Sequence, residues 1–176
     1  WILECTLAEL GAPPPSPALL ADALKAYYAY SESQWHPMPG AHETLAGLRA
    51  AGLKLAIISN AGDNDNVQRL IDGATLRHYF DPIVVSAAVG IRKPNPRIFE
   101  PVLNQWGLPP EECVMVGDTL GADILGAQFA KLHNVWLTSH AGHPANLAHR
   151  GNIVPEAEIA SLLELPGLLK KMGNGS

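Results

Sequence analysis

LKLAIISN, residues 53–60, is an apolar run of strand length that stops at two polar residues, Ser59 and Asn60. Its apolar residues do not alternate with polar ones, so Leu53 to Ser59 is predicted to be a strand buried on both faces, as strands of a parallel sheet are. Just before it, Ala41 to Ala51 has the spacing of an amphipathic helix, with Leu45 and Leu48 on one side. Gly52 follows at the position that tolerates a left-handed backbone. Downstream, apolar runs predict strands at Pro82 to Ser86 (PIVVS), Cys113 to Val116 (CVMV) and Asn134 to Leu137 (NVWL). Helices are predicted between and after them, at Val67 to about Ile71, Pro96 to Trp106, Leu120 to Lys131 and near Ile159 to Leu165. Strand and helix units repeated at this spacing make an α/β fold with a doubly wound parallel sheet.

Upstream of the hinge-like HPMPG (His36 to Gly40) the pattern is helical throughout. WILECTLAEL is broken at Gly11 and at Pro13 to Pro15 and gives way to PALLADALKAYYAY, where Leu19, Leu20, Leu24, Tyr27 and Tyr28 form one apolar stripe. Ser16 and Pro17 suit a helix opening, the serine as cap and the proline at the first helical position. Residues 1–38 are therefore read as a helical hairpin and residues 39–176 as the sheet domain, with a frayed GNGS end.

Composition narrows the function classes. Hydrophobic residues make up 47% of the 176 and charged residues 16%, a globular profile. A net charge of −5 without a Lys/Arg cluster excludes an extended nucleic-acid surface, which depends on counterion release. No apolar run approaches the ~18 residues of a membrane span. Cys5 and Cys113 lie far apart, no signal peptide is legible, and a reducing cytoplasm is expected. The chain opens on Trp1, so a start other than that of the translation product is expected.

In doubly wound sheets ligands bind at the carboxyl ends of the strands, and the polar signals fall there. Ser59 and Asn60 can offer a hydroxyl and a backbone N–H to a phosphate oxygen, although SNAGDND is also rich in turn formers. Lys93 lies in RKPNPRIF, where Pro94 and Pro96 stiffen the loop; an ammonium there neutralises a phosphate or crowded carboxylates, or is a solvated lysine. Asp118 ends the third strand, and Asp123 follows five residues later in the first helical turn. Two carboxylates so placed suit Mg²⁺, while helix capping by Asp118 or Thr119 is compatible with the same residues.

Taken together, the three stations resemble the haloacid dehalogenase-like hydrolases. The resemblance runs from about Pro39 to Leu137 and is carried by MPGAHETLAGLRAAGLKLAIISN, VGIRKPNPRIFEPVL and VGDTLGADILGA. It is nearest the phosphatase and phosphoglycolate branch with a small helical cap. It implies a Rossmann-like sheet and a phosphoaspartate mechanism. Ser59 would bind the transferring phosphoryl group, Asn60 would position substrate, Lys93 would steady nucleophile and phosphate, and Asp118 with Asp123 would hold Mg²⁺. Phe129 and Lys131 depart from the family pattern of a small or polar residue and a glycine, which places the following turn in question.

The family's first strand ends in Asp-x-Asp-x-Thr and supplies the nucleophile; nothing from Trp1 to Gly40 matches it, and the acids there are Glu4, Glu9, Asp22 and Glu32. The resemblance therefore implies a sheet lacking its first central strand. The gap could be closed by the two neighbouring strands, by WILECTL or by a second chain. WILECTL is preferred as helix because Ile2, Leu3, Leu7 and Leu10 sit at helical steps, which leaves a homodimer, or pairing with a missing amino-terminal segment, as the expected partner. The expected activity is weak, broad Mg²⁺-dependent hydrolysis of small phosphomonoesters or related esters by a truncated enzyme. The alternative is a non-catalytic remnant that binds phosphate or a partner chain.

The segment TSHAGHPANLAH contains His140, His143 and His149, without the spacing of a zinc pair. A triad of Ser139, His140 or His143 and Asp118 is conceivable, but no G-x-S-x-G elbow exists. Trp35, Trp106 and Trp136 are read as core or cap packing.

Overall fold

The computed structural model describes residues 2–173, so Trp1 and the last three residues of the GNGS tail lie outside it. The chain divides into two units, Trp1–His36 and Pro37–Ser176. In the first, α1 (Ile2–Glu9) and α2 (Pro17–Gln34) flank a proline-rich break. Ser16 caps α2, its Oγ accepting the Leu19 N–H at 3.2 Å, with Pro17 in the first turn. Of the predicted stripe, Leu20, Leu24 and Tyr28 are half-buried, whereas Leu19 and Tyr27 are exposed. A strict four-residue step keeps the first three on one line of the helix; the other two fall a residue to the side.

The second unit alternates helix and strand. Its helices are α3 (Ala41–Ala50), α4 (Asn64–Gly73), α5 (Ser86–Val89), α6 (Glu100–Trp106), α7 (Leu125–Ala130), α8 (Pro144–Leu147) and α9 (Leu165–Gly173). The strands are β1 (Ile57–Ser59), β2 (Ile83–Val85), β3 (Val114–Gly117), β4 (His133–Leu137) and β5 (Ala157–Ile159). Every pairing is parallel, but in two ladders: β1 with β2, and β3 with β4 and β5. Among the described residues no strand joins β1 to β3, and Ile2–Glu9, being helical, adds none.

That division shortens the first strand. Leu53 to Ser59 is not a strand buried on both faces: only Ile57–Ser59 enters a ladder, and its residues are half-buried. Ile57 N–H bonds to Pro82 O at 3.1 Å, so by alternation the Ile58 carbonyl faces away from β2, toward an edge without a strand. β3 is likewise half-buried along its length, while β4 is buried from Asn134 to Leu137. A strand paired on one side only keeps one edge open.

The carboxyl end also differs from the expected order of elements. Ala157–Ile159 is β5, not the start of a helix, and α9 begins only at Leu165. Between them a capping box holds a short turn: Ser161 Oγ accepts from Leu163 N at 3.3 Å, and Glu164 Oε1 accepts from Ser161 N at 2.9 Å. The helix expected near Ile159 to Leu165 thus shares only Leu165 with α9, because the edge of β4 captures Ala157–Ile159 and the capping box holds the residues between.

Packing covers both faces of the sheets. Leu48 of α3 and Leu165 of α9 meet Val135, Leu137 and Ile159 in one cluster; Phe99, Val102 and Ala127 meet Val84, Cys113 and Leu132 in another. Ile58 and Met115, from the two separate ladders, both pack against the second cluster. Trp136 is buried and Trp106 packs at the core margin with its Nε1 donating to Asp81 O at 2.9 Å. Trp35, after α2, is instead 41% exposed.

Candidate active site

Ser59 ends β1, and Asn60 begins the loop that leaves it. The Asn60 side chain is committed to the Lys93 main chain: its Nδ2 donates to Lys93 O at 2.9 Å and its Oδ1 accepts from Lys93 N at 2.8 Å. This paired clasp fixes the loop that the sequence signalled by its prolines. Lys93 then turns inward. Its Nζ donates to the outward Ile58 carbonyl at 2.5 Å and lies 2.7 Å from Asp123 Oδ1.

The side chains of Lys93 and Asp123 are only 6% and 7% exposed, so this is a buried ion pair and not a solvated lysine. Burying two charges is tolerable only when their remaining valences are satisfied. Asp123 meets the condition through its second oxygen, which accepts from Thr119 N at 2.9 Å. A glycine makes room for it: a Cβ built on Gly117 would lie 2.4 Å from Asp123 Cβ, Cγ and Oδ2.

Asp118 follows Gly117 and points the other way, 42% exposed. Its Oδ2 lies 2.6 Å from His140 Nδ1, and its Oδ1 is 3.4 Å from Thr119 Oγ1. The Asp118 carbonyl accepts from Trp136 Nε1 at 3.1 Å and from Asn146 Nδ2 at 2.9 Å. The chain then makes one wide helical turn, Leu120–Ile124, before α7, and this turn carries Asp123 back over Gly117.

The structure thus brings Lys93 and Asp123 into contact and sets Asp118 at the rim of the same strand end, with Asn60 behind Lys93. Among the described residues no three His, Cys, Asp or Glu side chains converge as a metal cluster. Asp118, Asp123 and Thr119 carry oxygen donors of the type a hard cation takes; the half-exposed Asp118 is the accessible one, while both Asp123 oxygens are engaged by Lys93 and the Thr119 N–H. The three histidines go separate ways: His140 to Asp118, His143 as cap of Ala145 N at 3.2 Å, and His149 against Gly121. Of the conceivable triad the structure forms the His140 and Asp118 half.

Asn146 was not singled out from sequence. It sits in an unremarkable PANL stretch, and nothing local marks it as buried. Cys113 is buried, and that burial pushes its thiol above the ordinary range; Cys5 is exposed, and both cysteines are free.

Comparison with known proteins places the fold in a family. Residues 3–137 match the family described as Haloacid dehalogenase-like hydrolase. The phosphoserine phosphatase of Thermus thermophilus is 37% identical over 132 residues, 74% of this chain and 51% of that protein. The glyceraldehyde 3-phosphate phosphatase of Methanopyrus kandleri is 33% identical over 170 residues, 96% of this chain and 71% of that protein. A HAD family hydrolase from Deinococcus radiodurans, solved with bound phosphate and sodium, superposes with a TM-score of 0.72 at 27% identity, covering 97% of this chain and 75% of that one. The chain spans about half the length of several curated relatives it matches. With two buried charges, a glycine cradle and an aspartate at one strand end, and with a family match over most of its length, the chain belongs to the haloacid dehalogenase-like hydrolases.

Proposed function

We propose that this chain carries the phosphate- and Mg²⁺-binding half of a phosphatase acting on small phosphomonoesters or related esters. The observation that carries the reading is the buried Lys93 and Asp123 pair at the carboxyl ends of the strands. An ammonium has three N–H donors; Ile58 O and Asp123 Oδ1 take two, and the third is left for a phosphate oxygen. Ser59 offers its hydroxyl to a second oxygen, its N–H facing β2 in the ladder. Asn60 serves by holding Lys93 in place, in addition to any contact with substrate. Asp118 and Asp123 would hold Mg²⁺, which when bound supplies positive charge against the phosphate oxygens.

Residues 1–40 contain no acid at the end of an apolar strand to act as nucleophile. The open edge of β1 is where we place either an amino-terminal segment that carries one or a second copy of the chain. Residues 1–38 act as the partial helical cap, and two free cysteines accord with a reducing cytoplasm. No described helix is long and apolar enough to cross a membrane.

The test is p-nitrophenyl phosphate hydrolysis with Mg²⁺ and with EDTA, beside Asp118→Asn. Weak, EDTA-sensitive turnover that the substitution abolishes is the expected result; a variant that keeps full activity overturns the metal role of Asp118. No turnover in the wild type, together with phosphate binding, would favour the non-catalytic alternative, to which the lack of a nucleophile in residues 1–40 points. Light scattering across micromolar concentrations tests the pairing, and a clean monomer removes the homodimer.

A further inference from the structure

Asn146 is 2% exposed, yet it stands on a segment that is otherwise at the surface: His143, Pro144, Ala145, Leu147 and Ala148 are all exposed. One planar amide enters the interior there and makes three hydrogen bonds, all to main chain. Its Oδ1 accepts from Leu120 N at 2.8 Å, and its Nδ2 donates to Asp118 O and to His140 O, both at 2.9 Å. These partners belong to three segments: the end of β3 that presents Asp118, the turn that carries Asp123, and the turn after β4 that lays His140 against the Asp118 carboxylate.

With Trp136 Nε1, the Asn146 amide fills both acceptor positions of the Asp118 carbonyl, which fixes the main chain from which that carboxylate projects. Only a carboxamide offers two donors and an acceptor on one plane. An aspartate has no donor when ionised, and an apolar isostere has neither.

We propose that Asn146 is a positioning residue of the active site: it touches no reacting group but sets where Asp118 and His140 stand relative to the turn of Asp123. This rests on the reading of Asp118 and Asp123 as the Mg²⁺ ligands. Rigid support of this kind is what holds first contacts at working geometry.

The test compares Asn146→Ala and the milder Asn146→Ser with Leu48→Ala, a core change on α3 that lowers stability away from these bonds. Mg²⁺ affinity is read by calorimetry, and exchange protection at the Leu120 amide by mass spectrometry or NMR. The alanine variant is expected to raise the Mg²⁺ Kd tenfold or more and to deprotect Leu120, with the serine variant between; Leu48→Ala lowers Tm while its Kd stays within twofold. If the alanine variant does not fold, the serine variant carries the measurement. A Kd within twofold of wild type in a folded variant whose Leu120 amide is deprotected overturns the proposal. If wild type itself binds no Mg²⁺, the metal reading fails separately, and a crystal structure of Asn146→Ser decides positioning: a parted His140 and Asp118 pair upholds it, and the pair intact at 2.6 Å overturns it.

Discussion

Lys131 closes α7 with φ +61°, a conformation that glycine adopts freely and that costs another residue about 1 kcal/mol. Lys131→Gly is therefore expected to stabilise the protein by about that amount, read as a rise in the denaturant midpoint with an unchanged slope. Gly117 is the opposite case, since a methyl there meets three atoms of the Asp123 side chain. Gly117→Ala should cost about 2 kcal/mol by overpacking and displace Asp123 from the Thr119 N–H, visible as faster exchange of that amide. Lys93→Met leaves Asp123 buried without its counter-charge. Breaking one side of such a pair costs about 3 kcal/mol, or roughly 6 to 12 °C in Tm for a domain of this size, checked by calorimetry. At this scale the sequence was most legible: Ser59, Lys93, Asp118 and Asp123 were all marked by strand ends and turn chemistry. Asn146 was not, because an amide in a loop has no periodicity to betray its burial, and of the two histidines open for Asp118 only the structure selects His140.

The elements follow their local signals where capping residues state a boundary. Ser16 opens α2, and Asp63 opens α4 by accepting from Asn66 N at 2.8 Å. β5 has no counterpart among the expected strands and the last helix is expected too early, because the capping box before α9 lies inside an otherwise apolar stretch and only the edge of β4 decides that Ala157–Ile159 is extended. Glu164 holds two amides of that link, Ala160 N at 3.1 Å and Ser161 N at 2.9 Å. Glu164→Ala should therefore cost about 1 kcal/mol and loosen the start of α9, seen as lost protection in its first turn while β4 stays protected.

For the molecule as a whole, the proposed metal site ties β3 to its helix and so couples ligand binding to folding. Mg²⁺ at a hundred times its Kd is expected to stabilise the wild type by about 2.7 kcal/mol, with EDTA reversing the Tm shift and Asp118→Asn abolishing it. Among the described residues two parallel ladders meet one hydrophobic cluster without a shared strand, and one edge of β1 is unpaired. By itself the sequence determined the α/β alternation, the family and the charged residues at the strand ends, because periodicity, turn residues and motif spacing are local properties written in consecutive positions. Only the tertiary structure decided that neither the neighbouring strands nor Ile2–Glu9 closes the gap implied by the missing strand, that Asn60 spends its amide on Lys93, and that Asn146 joins three distant segments. Hydrogen-bond partners and burial are set by residues far apart in the chain, and no local pattern encodes them.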